Sequence, residues 1–529
     1  MSIFPKLKVK PPKMAHHDLS HYFRTSMAVG PLYPILCQEL TPGQEVQLDF
    51  ESLVNTQALL TPLYGSYQIK IESFFAGTSL YIPKLWRNGS MAEAGTQLLD
   101  ATYPTFRLTN VGPSDMRVVN PSSLLAYLGL NPFFPAWSSD GSRPAINAIP
   151  LLMYLDIFRH YYANRQEANA PFTMSVTGGA VTEGQLSMSE LDNLFLELPV
   201  NGGDMTSNAT LTKLISQYTT ALGGFLLRTY MPDRMNVILN KDFYEKNVTS
   251  VQVSTAGDSF QIDQLVTAKK LWNSRNKDAM TSGTFKDWIK SHFGVTPKIM
   301  DDMPTFLGAT SSNIIFEDIR ATTFAKDGDV EQYLGDKGSS GSGYLQSRRH
   351  RFVADRPGYL MVLASIVPRV DYYQSVDRYA FHGKLSDSFR PEFNNIGLQD
   401  VLISDLNYDF SGVNAAATMS DTNNPAKNAV GKQPAWIEYM TAVNKVRGTF
   451  CTTEKSWVLA RDMRNNPALT GDVSTAGPVA NTNVSAYIHP DEWNQPFAVQ
   501  DASAQNFLAQ FFVREFTRST VLKRLLPKF

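Results

Sequence analysis

Prolines recur along almost the whole chain, 30 in 529 residues, and no other feature limits the fold as strongly. Each lacks a backbone N–H and fixes φ, so it interrupts a helix and enters a sheet only at edges, strand starts or bulges. A chain punctuated this way suits many short strands joined by long connections. The aromatic content of 11% points the same way, because aromatic side chains pack well on a pleated surface. The expectation is a mainly β protein with few long helices.

Hydrophobic periodicity agrees. Val46, Leu48 and Phe50 alternate with Gln47 and Asp49, and Tyr67, Ile69 and Ile71 alternate with Gln68 and Lys70. Period two of this kind marks half-buried strands. Tyr359 to Val367 and the aromatic-rich Phe507 to Val521 read as further strands. Three stretches predict helices. In Leu151 to Gln166, Leu151, Leu155, Phe158 and Tyr162 share one face. Gln264 to Trp272 is the second. The third starts at Thr284, which with Asp287 resembles a capping box ahead of Trp288, Ile289 and Phe293.

Several connections are long. Residues 166–222 hold six acids and one base, Lys213, with two Gly-Gly pairs. Residues 411–434 and 465–486 are rich in Asn, Ala, Thr, Gly and Ser, and 335–343 is a Gly-Ser stretch that reads as a flexible loop. Loops of this length in compact domains usually carry function or binding. Many short strands with large insertions fit a double-sheet jelly roll, an eight-stranded antiparallel sandwich or barrel, better than a doubly wound α/β fold. The organisation expected is an arm over 1–17 and one jelly-roll domain over 18–529, with 166–222, 411–434 and 465–486 as variable insertions.

Charge narrows the function. The 48 Lys and Arg against 49 Asp and Glu leave a net charge of −1, so bulk charge cannot coat nucleic acid and any contact must come from local patches. Those patches exist. The arm carries Lys6, Lys8, Lys10 and Lys13 and no acid; Arg348, Arg349, His350 and Arg351 form a tight cluster; and the tail from Arg514 holds five bases, among them Lys523, Arg524 and Lys528. Bases interleaved with aromatics can pair with phosphates while rings stack on unpaired bases. Solvated charge runs or interface ion pairs would look the same in sequence.

Catalytic spacings are missing. The chain has no GxxxxGK[ST], HExxH, CxxC or GxSxG. Asp327, Asp329 and Glu331 alternate as calcium ligands do, but an EF-hand loop would need Gly and Glu where Gln332 and Gly338 stand. His16, His17 and His21 cluster without a third ligand type at matching spacing. No metal or cofactor is expected. Two cysteines, Cys37 and Cys451, exclude a disulfide framework and read as buried thiols of a reducing cytoplasm. The first 13 residues offer no apolar leader, and the most apolar run is about half a membrane span, so neither export nor membrane insertion is expected.

Ordered blocks along the chain resemble a known family. Asp18-Leu-Ser-His21, Gly30-Pro-Leu-Tyr-Pro-Ile35 and Leu60-Thr-Pro62 open the series. Tyr154-Leu-Asp-Ile-Phe-Arg159 with Asn164-Arg-Gln166, and then Gly224-Phe-Leu-Leu-Arg-Thr-Tyr230, flank the first insertion. Pro368-Arg-Val-Asp-Tyr-Tyr-Gln374, Pro391-Glu-Phe393 with Ile396-Gly-Leu-Gln399, Gly431-Lys-Gln-Pro-Ala-Trp436 and Ala504-Gln-Asn-Phe507 follow. Together they resemble microvirus major capsid proteins of the gokushovirus-like and Bacteroidetes-prophage type, while 166–222, 411–434 and 465–486 lie outside the matching blocks. The resemblance implies a viral jelly roll that assembles as pentamers into a 60-copy T=1 icosahedral shell around circular single-stranded DNA, formed in the cytoplasm of a bacterial host. Expected partners are other copies of the chain, the genome, scaffolding and pilot proteins, a small basic DNA-binding protein and the host surface. Two rival readings are a minor virion protein, spike or pilot, and a β-rich carbohydrate-binding or glycan-active protein.

Overall fold

The computed structural model describes residues 13–83, 102–108, 119–130, 145–163, 169–177, 180–199, 202–228, 289, 293–295, 303–320, 325–327, 330–332, 337–393, 398–402, 405, 429–460, 493–501 and 503–523. The chain opens with β1 (Ala15–Asp18), β2 (His21–Met27), β3 (Tyr33–Leu40), β4 (Glu45–Thr56) and β5 (Tyr67–Gly77). A long excursion follows. It holds β6 (Pro104–Phe106), α1 (Leu124–Tyr127), β7 (Ile146–Asn147), α2 (Ile149–Ile157), β8 (Asn169–Thr177), β9 (Ala180–Ser187), α3 (Met188–Leu196), β10 (Gly203–Asp204) and α4 (Ala209–Ile215). Strands resume with β11 (Thr305–Arg320), the hairpin of β12 (Ala325–Asp327) and β13 (Val330–Gln332), β14 (Lys337–Gln346), β15 (His350–Val353) and β16 (Gly358–Pro368). A second excursion carries β17 (Leu398–Leu402) and β18 (Ala429–Pro434), and β19 (Phe507–Ser519) returns to the main sheet.

Ten strands form one curled antiparallel sheet in the order β1-β19-β4-β14-β11-β5-β16-β3, with β2 also on β19 and β15 also on β4. Its curl turns on β11. The first part, Thr305 to Ile314, pairs with β5, and the remainder, Ile315 to Arg320, pairs with β14. The two halves of the sheet thereby face each other, which is the arrangement of a jelly roll.

The expected alternation in β4 holds for Val46, Leu48 and Phe50, which are buried, and for Gln47, which is half-buried. Asp49, expected on the outer face, is buried instead and accepts from Ser347 Oγ at 3.1 Å. The facing rows of β19 supply Phe507, Phe511 and Val513. Tyr67 from β5 meets Phe507 at 5.1 Å between ring centroids, and Phe497 meets Phe507 at 5.3 Å. Each such ring contributes about 1.5–3 kcal/mol on burial.

All eleven residues of β16 are buried. This strand lies between β3 and β5, and α2 covers its other face, so its sequence is a continuous apolar run. The helix expected over 151–166 differs from the prediction. It starts at Ile149, passes into a π-helical turn over Phe158–Tyr162, and is buried on every side through residue 157 except at Pro150. Sandwiched between sheet and excursion, it needs no polar face.

The Gly-Ser stretch is not a loop. It forms β14, a central strand between β4 and β11, with Ser339, Gly341, Gly343 and Leu345 buried on alternate positions. Glycine is required there by close approach: a Cβ on Gly341 would lie 2.5 Å from Phe316 Cε1 and 2.9 Å from Thr56 Cγ2. Residues 166–222 also contain more than loop. Ser187 and Glu190 close a reciprocal capping box at the start of α3, and Asn208 caps α4 by accepting from the Thr210 and Leu211 amides. These helices send Leu191, Leu194, Leu211 and Leu214 into the main core.

The excursion is tied to the sheet by a buried ion pair. Arg228 donates from Nη1 and Nη2 to the two oxygens of Glu72 on β5, both at 3.2 Å, and from Nη1 to Ser365 Oγ on β16 at 2.5 Å. The Tyr162 hydroxyl donates to the same carboxylate. Burial first, and then the Glu72 charge, push the Tyr162 phenol well above its ordinary range.

Both cysteines are free thiols, as expected, but each is only partly buried. The helix expected over 264–272 and most of the one from Thr284 lie outside the described residues; of the latter, Ile289 is buried.

Candidate nucleic-acid interface

Three basic segments far apart in sequence meet at one end of the sheet. β1, β19, β4 and β15 lie side by side there, so the end of the arm, the tail and the Arg348 cluster become neighbours. The register is explicit. Glu45 of β4 is flanked by Val353 and Arg518, and Arg518 by His16; Gln47 is flanked by Arg351 and Phe516, and Phe516 by Asp18. Strand alternation puts all of these on the face opposite the core.

The face pairs guanidinium groups with aromatic rings. Arg349 stands 6.0 Å from the Phe516 ring centroid, Arg514 lies 5.2 Å from Phe512, and Arg24 lies 5.5 Å from Tyr22. Tyr22 stacks on Phe512 at 4.5 Å, and Arg24 Nε donates to Gln510 Oε1 at 3.1 Å. Acids temper the charge: Arg351 is 2.7 Å from Glu45 and Arg514 is 2.6 Å from Glu51. The Glu45 carboxyl is held below the usual carboxylate range, chiefly by the Gln47 hydrogen bond and then by Arg351 and Arg518. Arg348 and Arg518 make no ion pair among the described residues and are exposed. Such a surface can stack unpaired bases on its rings and neutralise phosphates with its arginines.

Of the residues expected from sequence, Arg348, Arg349 and Arg351 stand in this corner, with Lys13 exposed just before β1 and Lys523 exposed just after β19. His17 links the two ends by donating from Nε2 to the Val521 carbonyl at 2.7 Å. His21 uses Nδ1 on the Leu19 carbonyl at 2.9 Å. Lys6, Lys8, Lys10, Arg524 and Lys528 lie outside the described residues. Tyr22, Arg24, Phe512, Arg514, Phe516 and Arg518 complete the face and were not singled out as site residues. The alternation of Phe512, Arg514, Phe516 and Arg518 along one strand was the available signal, but their neighbours follow only from strand order. Asp327 and Glu331 fall on the β12–β13 hairpin, and Asp329 is outside the described residues.

Directly beneath this face, Glu515 points inward and is 1% exposed. Burial pushes its carboxyl up to about 7, against a hydrogen bond from Gln38 and the nearby His21.

No curated protein matches the chain. A family model for the phage capsid protein, the F protein, matches residues 166–500, well over half of the sequence and including the 166–222 segment. With the curled jelly-roll sheet, this match settles the family: the chain belongs to the phage F capsid proteins, the major, non-enzymatic coat proteins that self-assemble into the shells of single-stranded-DNA phages.

Proposed function

We propose that this coat protein is of the gokushovirus-like or Bacteroidetes-prophage type. It builds pentamers and a 60-copy T=1 shell around circular single-stranded DNA in the host cytoplasm, and its basic corner faces the genome. The observation that carries the DNA reading is the convergence of the arm, the Arg348 cluster and the tail on one exposed face beside aromatic rings. A near-neutral coat cannot neutralise a packed genome alone. The lysines of the arm and the bases of the tail, including Lys6, Lys8, Lys10, Arg524 and Lys528, add to the corner, and a small basic virion protein or bound cations supply the rest.

Residues 18–529 act as one capsid domain. The acidic part of 166–222, together with 411–434 and 465–486, supplies the surface that meets the host. Scaffolding and pilot proteins of the same virus assist assembly and entry. The reading is tested by reversing Arg349, Arg351 and Arg518 to Glu, and separately Lys6, Lys8, Lys10 and Lys13. Particles should still form but carry less DNA, read as absorbance at 260 nm against 280 nm. Full genome content in both variants would remove these residues from DNA binding.

A further inference from the structure

The second excursion, between β16 and β19, turns an apolar face outward. Its 3-10 turns Arg378–Phe381, Pro391–Phe393, Ile437–Tyr439, Gly448–Cys451 and Lys455–Trp457 bury no residue. Its polar groups are matched to each other: Arg378 donates from Nη2 to Asp405 at 2.6 Å, Lys445 pairs with Asp377 at 2.7 Å, and Gln399 donates to Glu438 at 2.9 Å. Leu459, Trp493 and Phe497 join the main core, but a group of its large apolar side chains points to solvent. Leu385 is 85% exposed, Tyr379 68% and Met440 62%, with Phe389, Phe393 and Tyr439 exposed beside them. Exposed apolar surface concentrated in this way marks an interaction site.

The patch is also held in shape. Phe389, Trp436 and Tyr439 pack ring against ring at 5.4–6.3 Å, and the Trp436 indole donates to the Phe393 carbonyl at 3.0 Å. Trp436 has φ of +64°, a left-handed conformation that a non-glycine residue holds only under constraint from its surroundings. Here the Trp436 amide donates to Gln399 Oε1 at 3.1 Å. Such pre-organisation lowers the entropic cost of docking.

We infer that this face, carrying Tyr379, Leu385, Phe389, Phe393, Tyr439 and Met440, is a shell contact and that its occupant is a second copy of this chain. Charge argues against the genome as occupant: residues 371–460 hold ten acids and eight bases, with no basic excess to meet phosphates. Self-assembly argues for a copy, since a closed shell made from one chain needs large heterologous contacts, and these bury apolar cores.

The inference rests on the shell reading, and hydrogen exchange separates the two. Wild-type shells and shells dissociated to subunits would be compared over 379–393 and 436–443. Protection in shells and loss of it in subunits is the expected result. Intact shells in which these peptides exchange as in free subunits would overturn the inference and leave the coat reading standing. Protection appearing only when another virion protein is bound would assign the face elsewhere and overturn it too. Failure of the wild-type chain to form shells, even with its virion partners, would overturn both. As a second readout, the triple variant Tyr379→Ser, Leu385→Ser, Met440→Ser should fold as wild type does, because these side chains are exposed. Its critical concentration for assembly should rise roughly tenfold or more; an unchanged value would also overturn the inference.

Discussion

The Arg228–Glu72 pair gives the sharpest test of how the first excursion is fixed to the sheet. Replacing Arg228 with Met keeps much of the side-chain volume but leaves the Glu72 carboxylate, 4% exposed, with only the Tyr162 hydroxyl. At the observed 3.2 Å separation and an effective dielectric of about 20, the lost attraction is on the order of 5 kcal/mol. Loss of one partner of a buried pair costs about 3–5 kcal/mol in practice. Further contributions go with it, because the guanidinium also donates to Ser365 and lies 5.0 Å from the Tyr162 ring. The assay is urea denaturation of dissociated subunits, followed by tryptophan fluorescence and by proteolysis of the excursion. Arg228→Met should lose about 3–5 kcal/mol and expose the excursion to protease first. Adding Glu72→Gln removes the stranded charge and should recover most of that loss. A single variant within about 1 kcal/mol of wild type would refute the reasoning, as would a double variant no better than the single.

Three further outcomes are expected. Gly341→Val should cost about 1–3 kcal/mol, because the new side chain collides with Phe316 and Thr56 across the sheet; Phe316→Ala in the same background should return part of it, read as denaturation midpoint and soluble yield. Glu515 has a folded carboxyl raised to about 7, so the folded state binds the proton more tightly than the unfolded chain, and stability should fall as pH rises from about 4.5 to 7. Glu515→Gln should therefore gain on wild type above pH 7, by up to roughly 3 kcal/mol, with the gain vanishing near pH 4.5; equal stability across that range would place the carboxyl in water. Reversing Arg349, Arg351 and Arg518 should also flatten the salt dependence of single-stranded DNA binding by subunits, read from affinity at several salt concentrations.

Local pattern made the sheet's ingredients legible, and strand order hid the site. Val46, Leu48 and Phe50 announce β4 by alternation, and Tyr359 to Val367 announces a strand buried on both faces. Ser339, Gly341 and Gly343 read as a loop, because period two carried by glycine and serine leaves no hydrophobic trace; Phe316 and Ile314, contributed by a strand more than twenty residues earlier, explain the two glycines. The spacing of Leu151, Leu155, Phe158 and Tyr162 marks helix α2, but the one-sided face it implies is absent because the helix is covered on all sides. In 166–222, the capping box at Ser187 and Glu190 was present in the sequence beneath the acidic composition that suggested a loop. The basic segments were visible one by one. Their meeting depends on β19 lying between β1 and β4, a contact between the two ends of the chain that no local signal encodes. The exposed aromatics from Tyr379 to Met440 could be counted in the sequence, but whether they faced a core or solvent could not.

Closure of this chain into a shell can be measured directly. Purified protein, alone and with the other proteins of its virion, should be followed across a concentration series by light scattering and negative-stain microscopy. Particles of uniform diameter, with a mass near sixty times the 58.9 kDa chain and an intermediate near five times it, are the predicted result. A chain that stays monomeric at high concentration, even with the other virion proteins present, would contradict shell formation.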